Sequence, residues 1–152
     1  KHIHDTGIDG VLIVDSPPEE SVTLNKYLTK YKKSHIYLAS PTTTDQRMRN
    51  ISKMSSGYVY YVTIKGITGS KLSNVSSIRK NVNKIKKYSN NNLPVAVGFG
   101  IKDSSSAQKM AAFSDGIIIG SSIVELIHKY SNNEKKMNSK LSTYISSISN
   151  VI

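Results

Sequence analysis

The sequence predicts an α/β fold of five parallel strands, each followed by a helix. Five short apolar runs alternate with segments of helical period, the connections are short, and the glycines come late, after the third, fourth and fifth runs. Alternation of this kind implies right-handed crossovers and a parallel sheet. Open five-stranded sheets normally carry a phosphate loop after the first strand, but Asp15-Ser-Pro-Pro has no glycine. Late glycines suit the second half of a (β/α)8 barrel of the TIM type, where the phosphate pocket lies in the loops after the last two strands.

Val11-Leu-Ile-Val14 is the first strand, and Pro18 with Glu19 and Glu20 opens a helix one face of which carries Val22, Leu24, Tyr27 and Leu28. Ile36-Tyr-Leu-Ala39 is the second strand, with Met48, Ile51 and Met54 at helical spacing behind it. Tyr58-Val-Tyr-Tyr-Val62 is the third, followed by a glycine-bearing loop over 63–70 and a helix from about Asn74 to Tyr88. Val95-Ala-Val97 and Ile117-Ile-Ile119 are the fourth and fifth, with helices starting near Asp103 and carrying Ile123, Val124 and Ile127. A last amphipathic segment runs through Met137, Leu141, Tyr144, Ile145 and Ile148. Thr6-Gly7 reads as the end of a helix already under way at Lys1, so the 152 residues are expected to be one domain, the C-terminal portion of a barrel whose strands one to three are missing.

Pro94-Val-Ala-Val-Gly98-Phe-Gly100-Ile101 and Asp115-Gly-Ile-Ile-Ile-Gly120-Ser121-Ser122 are each an apolar run ending in Gly ahead of a helix. That arrangement turns backbone N–H groups and a helix N-terminus toward an anion. A turn requirement would also place glycine at such strand ends.

The charge of +11 does not read as a nucleic-acid footprint. Of the 21 basic residues 18 are Lys and three, Arg47, Arg49 and Arg79, are Arg, whereas base readout and bidentate phosphate contacts favour Arg. The densest cluster, Lys80, Lys84, Lys86 and Lys87, has the spacing of a solvated helix face. No apolar run approaches the roughly 20 residues of a membrane helix. With zero Cys there is no disulfide framework or thiolate metal site, which fits a cytoplasmic protein. The histidines lack metal-ligand partners nearby, with His35 placed ahead of the second strand, so no metal is expected.

Six motifs in order, Asp9-Gly-Val-Leu-Ile-Val-Asp15-Ser-Pro17-Pro-Glu19-Glu20-Ser, Ala39-Ser-Pro41-Thr, Gly57-Tyr-Val-Tyr60-Tyr-Val, Gly66-Ile-Thr68-Gly69, Val97-Gly98-Phe99-Gly100-Ile101 and Gly120-Ser121-Ser-Ile123-Val124, together resemble the tryptophan synthase alpha chain family. The match covers nearly the whole chain and corresponds to strands four to eight of that family's barrel.

The resemblance implies a subunit that cleaves indole-3-glycerol phosphate to indole and glyceraldehyde 3-phosphate, and passes indole to a beta chain in an alpha2-beta2 tetramer. Pyridoxal phosphate would belong to that partner, with no cofactor in this chain. It implies phosphate binding at Gly69, Gly100, Gly120 and Ser121, an indole slot lined by Leu12, Leu38, Tyr60 and Phe99, and a closing loop ordered by Thr68. Asp15 and Pro17 would face the beta chain; a cap for the following helical turn is the other reading of Asp15.

The family's general acid and base, a Glu on the second strand and an Asp on the following loop, lie upstream of Lys1, and none of the ten acids present pairs toward the glycine pocket. No catalytic residue is therefore expected here, and the chain alone is expected to be inactive. The alternatives are a truncated, catalytically dead alpha-like chain that only binds a beta subunit or phosphate, and another phosphate-binding barrel.

Overall fold

A computed structural model of the chain describes residues 7–63, 75–98 and 100–152. Five strands, β1 (Gly10–Leu12), β2 (Ser34–Ala39), β3 (Val59–Val62), β4 (Val95–Gly98) and β5 (Gly116–Ile118), form one sheet in sequence order. Every neighbouring pair is parallel. The helices are α1 (Val22–Lys30), α2 (Asp45–Met54), α3 (Val75–Tyr88), α4 (Ser104–Ala111), α5 (Ser121–Tyr130) and α6 (Glu134–Ser149). None of these is long and apolar enough to cross a membrane.

The period-2 alternation of the strands divides the sheet into two unlike faces. Tyr37, Ala39, Val59, Tyr61, Val95 and Val97 point to one face and are buried against Met48 and Ile51 of α2, Ile78, Val82 and Ile85 of α3, and Ala107 and Met110 of α4. The opposite face carries Leu38, Tyr60, Ala96 and Gly116 in one register row, all half-buried. Parallel sheets ordinarily bury both faces. Here the second face and the β1 edge remain open, with Ile13 at 41% and Val14 at 69% exposure just past β1.

Polar side chains fix the helix layer. The Thr44 hydroxyl caps α2 by accepting from Arg47 N–H. Asp115, just before β5, accepts from Val95 N–H at 2.8 Å and pairs with Lys86 of α3 at 2.8 Å, joining two strands and a helix. Asn81 donates to the hydroxyl of the fully buried Tyr61 at 2.9 Å.

Several boundaries differ from the sequence reading. β1 stops at Leu12, because the chain turns through Val14 and Asp15, so the apolar Ile13 and Val14 belong to a turn. Pro18–Glu20 form a separate 3₁₀ turn, and α1 begins at Val22 after Ser21, whose buried hydroxyl donates to the Pro17 carbonyl at 2.7 Å. β5 begins at Gly116 and ends at Ile118, one residue earlier than expected. His35 lies within β2, where it is 1% exposed and stacks on Tyr37 at 4.0 Å between ring centroids. Its Nδ1 donates to the Asn25 amide oxygen at 2.6 Å, and the Asn25 amide donates to the Tyr37 hydroxyl at 3.1 Å, which docks α1 on β2.

Candidate functional site

The C-terminal ends of β3, β4 and β5 enclose a pocket of about 150 Å³ lined by Tyr60, Gly100, Ile101, Ile118, Gly120 and Ser121. Its floor follows from register: Val62, Gly98 and Ile118 lie side by side on three adjacent strands. Tyr60 extends its ring over Gly98. A Cβ built on Gly98 would stand 2.6 Å from both the ring Cε2 and the hydroxyl of Tyr60, and 3.0 Å from the Ile118 Cβ. Only a residue without a side chain lets the ring lie there. Burial, with the adjacent Tyr58 adding to it, raises the pKa of the Tyr60 phenol, so it stays a neutral donor.

Thr63, 5% exposed, joins the ends of β3 and β4. Its N–H and its hydroxyl both donate to the Gly98 carbonyl, at 2.9 and 3.0 Å. The chain then turns at Gly100, whose φ of 78° lies in the left-handed region that glycine adopts without strain.

The two glycines of the pocket are glycine for different reasons. Gly100 meets a backbone requirement. Gly120 has φ −117°, open to any residue, and a Cβ added there would meet no protein atom within 4 Å. Neither conformation nor packing within the described residues demands glycine at 120, so its Cα leaves free space at the pocket wall.

The helix that starts there is also open. Gly120 caps α5 with no side-chain hydrogen bond, and its carbonyl takes the N–H groups of Ile123 and Val124. The first-turn N–H groups of Ser121 and Ser122 have no acceptor among the described residues. The N-terminus of a ten-residue helix thus faces the pocket with its partial positive charge uncompensated.

The α4 N-terminus differs from that of α5. Asp103 and Ser106 form a capping box, with the Asp103 carboxylate accepting from Ser106 N–H at 2.8 Å. Those hydrogen bonds hold the Asp103 pKa below the usual carboxylate value, and the fixed negative charge closes this helix to anions.

The structure brings Tyr60, Gly100, Gly120 and Ser121 together around one pocket, and Leu38 lies beside Tyr60 on the adjacent strand. Leu12 is set apart. It pairs with Ile36, one step below Leu38, and lies at the open edge with 36% exposure. Gly69, Thr68 and Phe99 lie outside the described residues. Asp15 and Pro17 follow β1 at the same rim, and the exposed Asp15 caps neither the 3₁₀ turn nor α1. Among the described residues no carboxylate lines the pocket.

Ile101 and Ile118 are pocket residues that the sequence reading did not single out. An uninterrupted Ile117-Ile-Ile119 run carries no alternation from which the inward residue can be chosen. Ile101 lay next to a chosen glycine, and its position directly after that turn was the available signal.

A sequence profile described as the tryptophan synthase alpha chain matches residues 1–152. The chain is 37% identical over 148 residues to the tryptophan synthase alpha chain of Vesicomyosocius okutanii, covering 97% of this chain and 55% of that one. It is 46% identical over 125 residues to that of Paraburkholderia phymatum, covering 82% and 45%. The solved tryptophan synthase subunit alpha from Legionella pneumophila superposes with a TM-score of 0.80 at 32% identity, covering 97% of this chain and 53% of that one. A tryptophan synthase a2b2 complex from Pyrococcus furiosus shares the fold, with a TM-score of 0.82 at 23% identity over 98% and 58%. The chain spans about half the length of the relatives it matches. With the profile match running over all 152 residues, this chain belongs to the tryptophan synthase alpha chain family.

Proposed function

We propose that these residues act as the C-terminal part of an alpha subunit that cleaves indole-3-glycerol phosphate to indole and glyceraldehyde 3-phosphate in tryptophan biosynthesis. The chain supplies the phosphate site and part of the indole slot. The observation that carries this reading is the pocket itself, where the open N-terminus of α5, the unfilled space at Gly120 and the Tyr60 ring converge.

Phosphate binds through backbone N–H groups at Gly100, Gly120 and Ser121, with Gly69 joining them and the Ser121 hydroxyl adding a donor. Oriented amides with a helix N-terminus suit a dianion without any Arg. Tyr60, Leu38, Leu12 and Phe99 line the indole slot, and Thr68 orders the closing loop. In the reaction a proton reaches the indole ring carbon, the hydroxyl proton on the adjacent glycerol carbon is removed, and the bond between those carbons breaks. Its acid and base come from strands upstream of Lys1, so the 152 residues alone form one incomplete barrel domain that binds without turnover. Asp15 and Pro17, at the same rim as the pocket, meet a beta chain in an alpha2-beta2 assembly in the cytoplasm. Pyridoxal phosphate resides in that partner.

The test is indole release from indole-3-glycerol phosphate by the chain alone and by the chain joined to the family's upstream strands. Turnover by the joined protein, reduced by Ser121→Ala chiefly through KM, is the expected result. No turnover under any of these conditions, with glycerol 3-phosphate still bound, would leave the second reading, a binding-only chain. That reading is favoured by the absence of a carboxylate among the described residues that line the pocket.

A further inference from the structure

The cations of this chain are concentrated on two adjacent helices. α2 carries Arg47, Arg49 and Lys53, and α3 carries Arg79, Lys80, Lys84, Lys86 and Lys87; Asp45 is their one acid. Eight positive charges against one negative give +7 of the chain's +11, and all three arginines lie here. The two helices pack side by side in the outer layer. An open groove of about 650 Å³ runs along α3, lined by Val75, Arg79, Lys80, Asn83, Lys84 and Lys87.

The cations are held in place as well as clustered. The Arg49 guanidinium lies 4.4 Å from the Tyr88 ring centre, and that of Arg79 lies 5.3 Å from the Phe113 ring centre. Each cation–π contact holds its guanidinium near a ring, and a guanidinium can bind a carboxylate with two hydrogen bonds. Asp45 and Asp115 neutralise Lys84 and Lys86 at 2.7 and 2.8 Å, and Glu19 approaches Asn50 of α2 at 3.5 Å. Among the described residues Arg47, Arg49, Lys53, Arg79, Lys80 and Lys87 form no ion pair, and all six are exposed.

We infer that the α2–α3 face is a docking surface for an acidic protein segment, separate from the pocket at the strand ends. Charge complementarity supplies the attraction, and Val75 with the aliphatic stems of the lysines supplies an apolar floor for the segment's uncharged side chains. A protein segment fits better than a nucleic acid for a specific reason. Single-stranded nucleic acids bind through open aromatic faces on which bases stack, and Tyr88 and Phe113 here are each covered by a guanidinium.

Fluorescence anisotropy of a labelled (Glu-Glu-Leu)4 peptide, titrated with the intact chain at low and moderate salt, tests this. A labelled dT12 serves as the nucleic-acid probe. The expected result is peptide binding that weakens with salt, falls at least tenfold in Lys80→Glu/Lys87→Glu, and changes less than threefold in Lys129→Glu/Lys140→Glu, an equal charge change on α5 and α6. Glycerol 3-phosphate binding at the strand-end pocket should be the same in all three proteins. An equal loss in both double variants, tighter binding of dT12 than of the peptide, or no peptide binding would each overturn the inference.

Discussion

Replacing Gly98 with Ala would add a single carbon under the Tyr60 ring, and the geometry fixes what that carbon meets. The new Cβ would lie 2.6 Å from Tyr60 Cε2 and its hydroxyl, against an ordinary carbon contact of about 3.5–4.0 Å, so the overlap is about 1 Å. Two relaxations are available and they are unequal. The Ile118 Cβ at 3.0 Å is anchored to a paired strand and yields only by a few tenths of an ångström. The Tyr60 ring is the free end of a side chain on the half-exposed face, and it can swing up into the pocket. Overpacking costs of about 1–3 kcal/mol follow for folding. A displaced ring also fills part of a pocket of only about 150 Å³, so ligand affinity falls further than stability does. Urea unfolding of wild type, Gly98→Ala, Tyr60→Ala and the double variant forms a cycle that isolates the clash. The penalty of Gly98→Ala should shrink by at least about 1 kcal/mol once Tyr60 is Ala, well outside the additivity expected of independent sites. Additive effects within about 0.5 kcal/mol would mean that the Tyr60 ring is not what Gly98 accommodates.

Gly120→Ala tests the opposite case. With φ −117° and nothing within 4 Å of the added carbon, stability should stay within about 0.5 kcal/mol of wild type while glycerol 3-phosphate affinity drops at least tenfold by calorimetry. Burial lowers the His35 pKa from its ordinary 6.5, so the folded state takes up its proton at lower pH than the unfolded chain does. Its contribution to stability is therefore complete above pH 6.5 and is lost as pH falls below that value, and His35→Gln should flatten this part of a urea-midpoint profile between pH 7.5 and 5.5. Asp115→Ala removes the acceptor for Val95 N–H and the partner of Lys86 at a half-exposed site; a loss of about 1–2 kcal/mol is expected in urea unfolding, with the Lys86→Ala single variant costing less.

The strands and helices were legible because apolar runs and helical periods are local properties, and all five strands appear where the runs lie. The first run misled by two residues, since Ile13 and Val14 are apolar yet sit in a turn at the open edge. His35 was placed outside its strand because an imidazole interrupts the apolar pattern; Asn25, ten positions away in sequence, holds its Nδ1, which periodicity does not reveal. At the pocket, Gly100 and Gly120 stood out in the sequence but their different reasons did not, because φ and the space around a Cα are properties of the folded chain. The Asp103 cap shows the same limit. Asp103 and Ser106 stood in view at a helix start, but that their bonds close α4 to anions and leave α5 as the open helix emerged only from geometry.

The proposed function depends first on the strand-end pocket holding phosphate through backbone N–H groups. An amide-resolved NMR titration of the chain with glycerol 3-phosphate measures this directly. Saturable shifts centred on the amides of Gly100, Gly120 and Ser121, abolished in Gly120→Ala, are expected. Shifts confined to the lysine-bearing turns of α3, or none at the three amides, would contradict it.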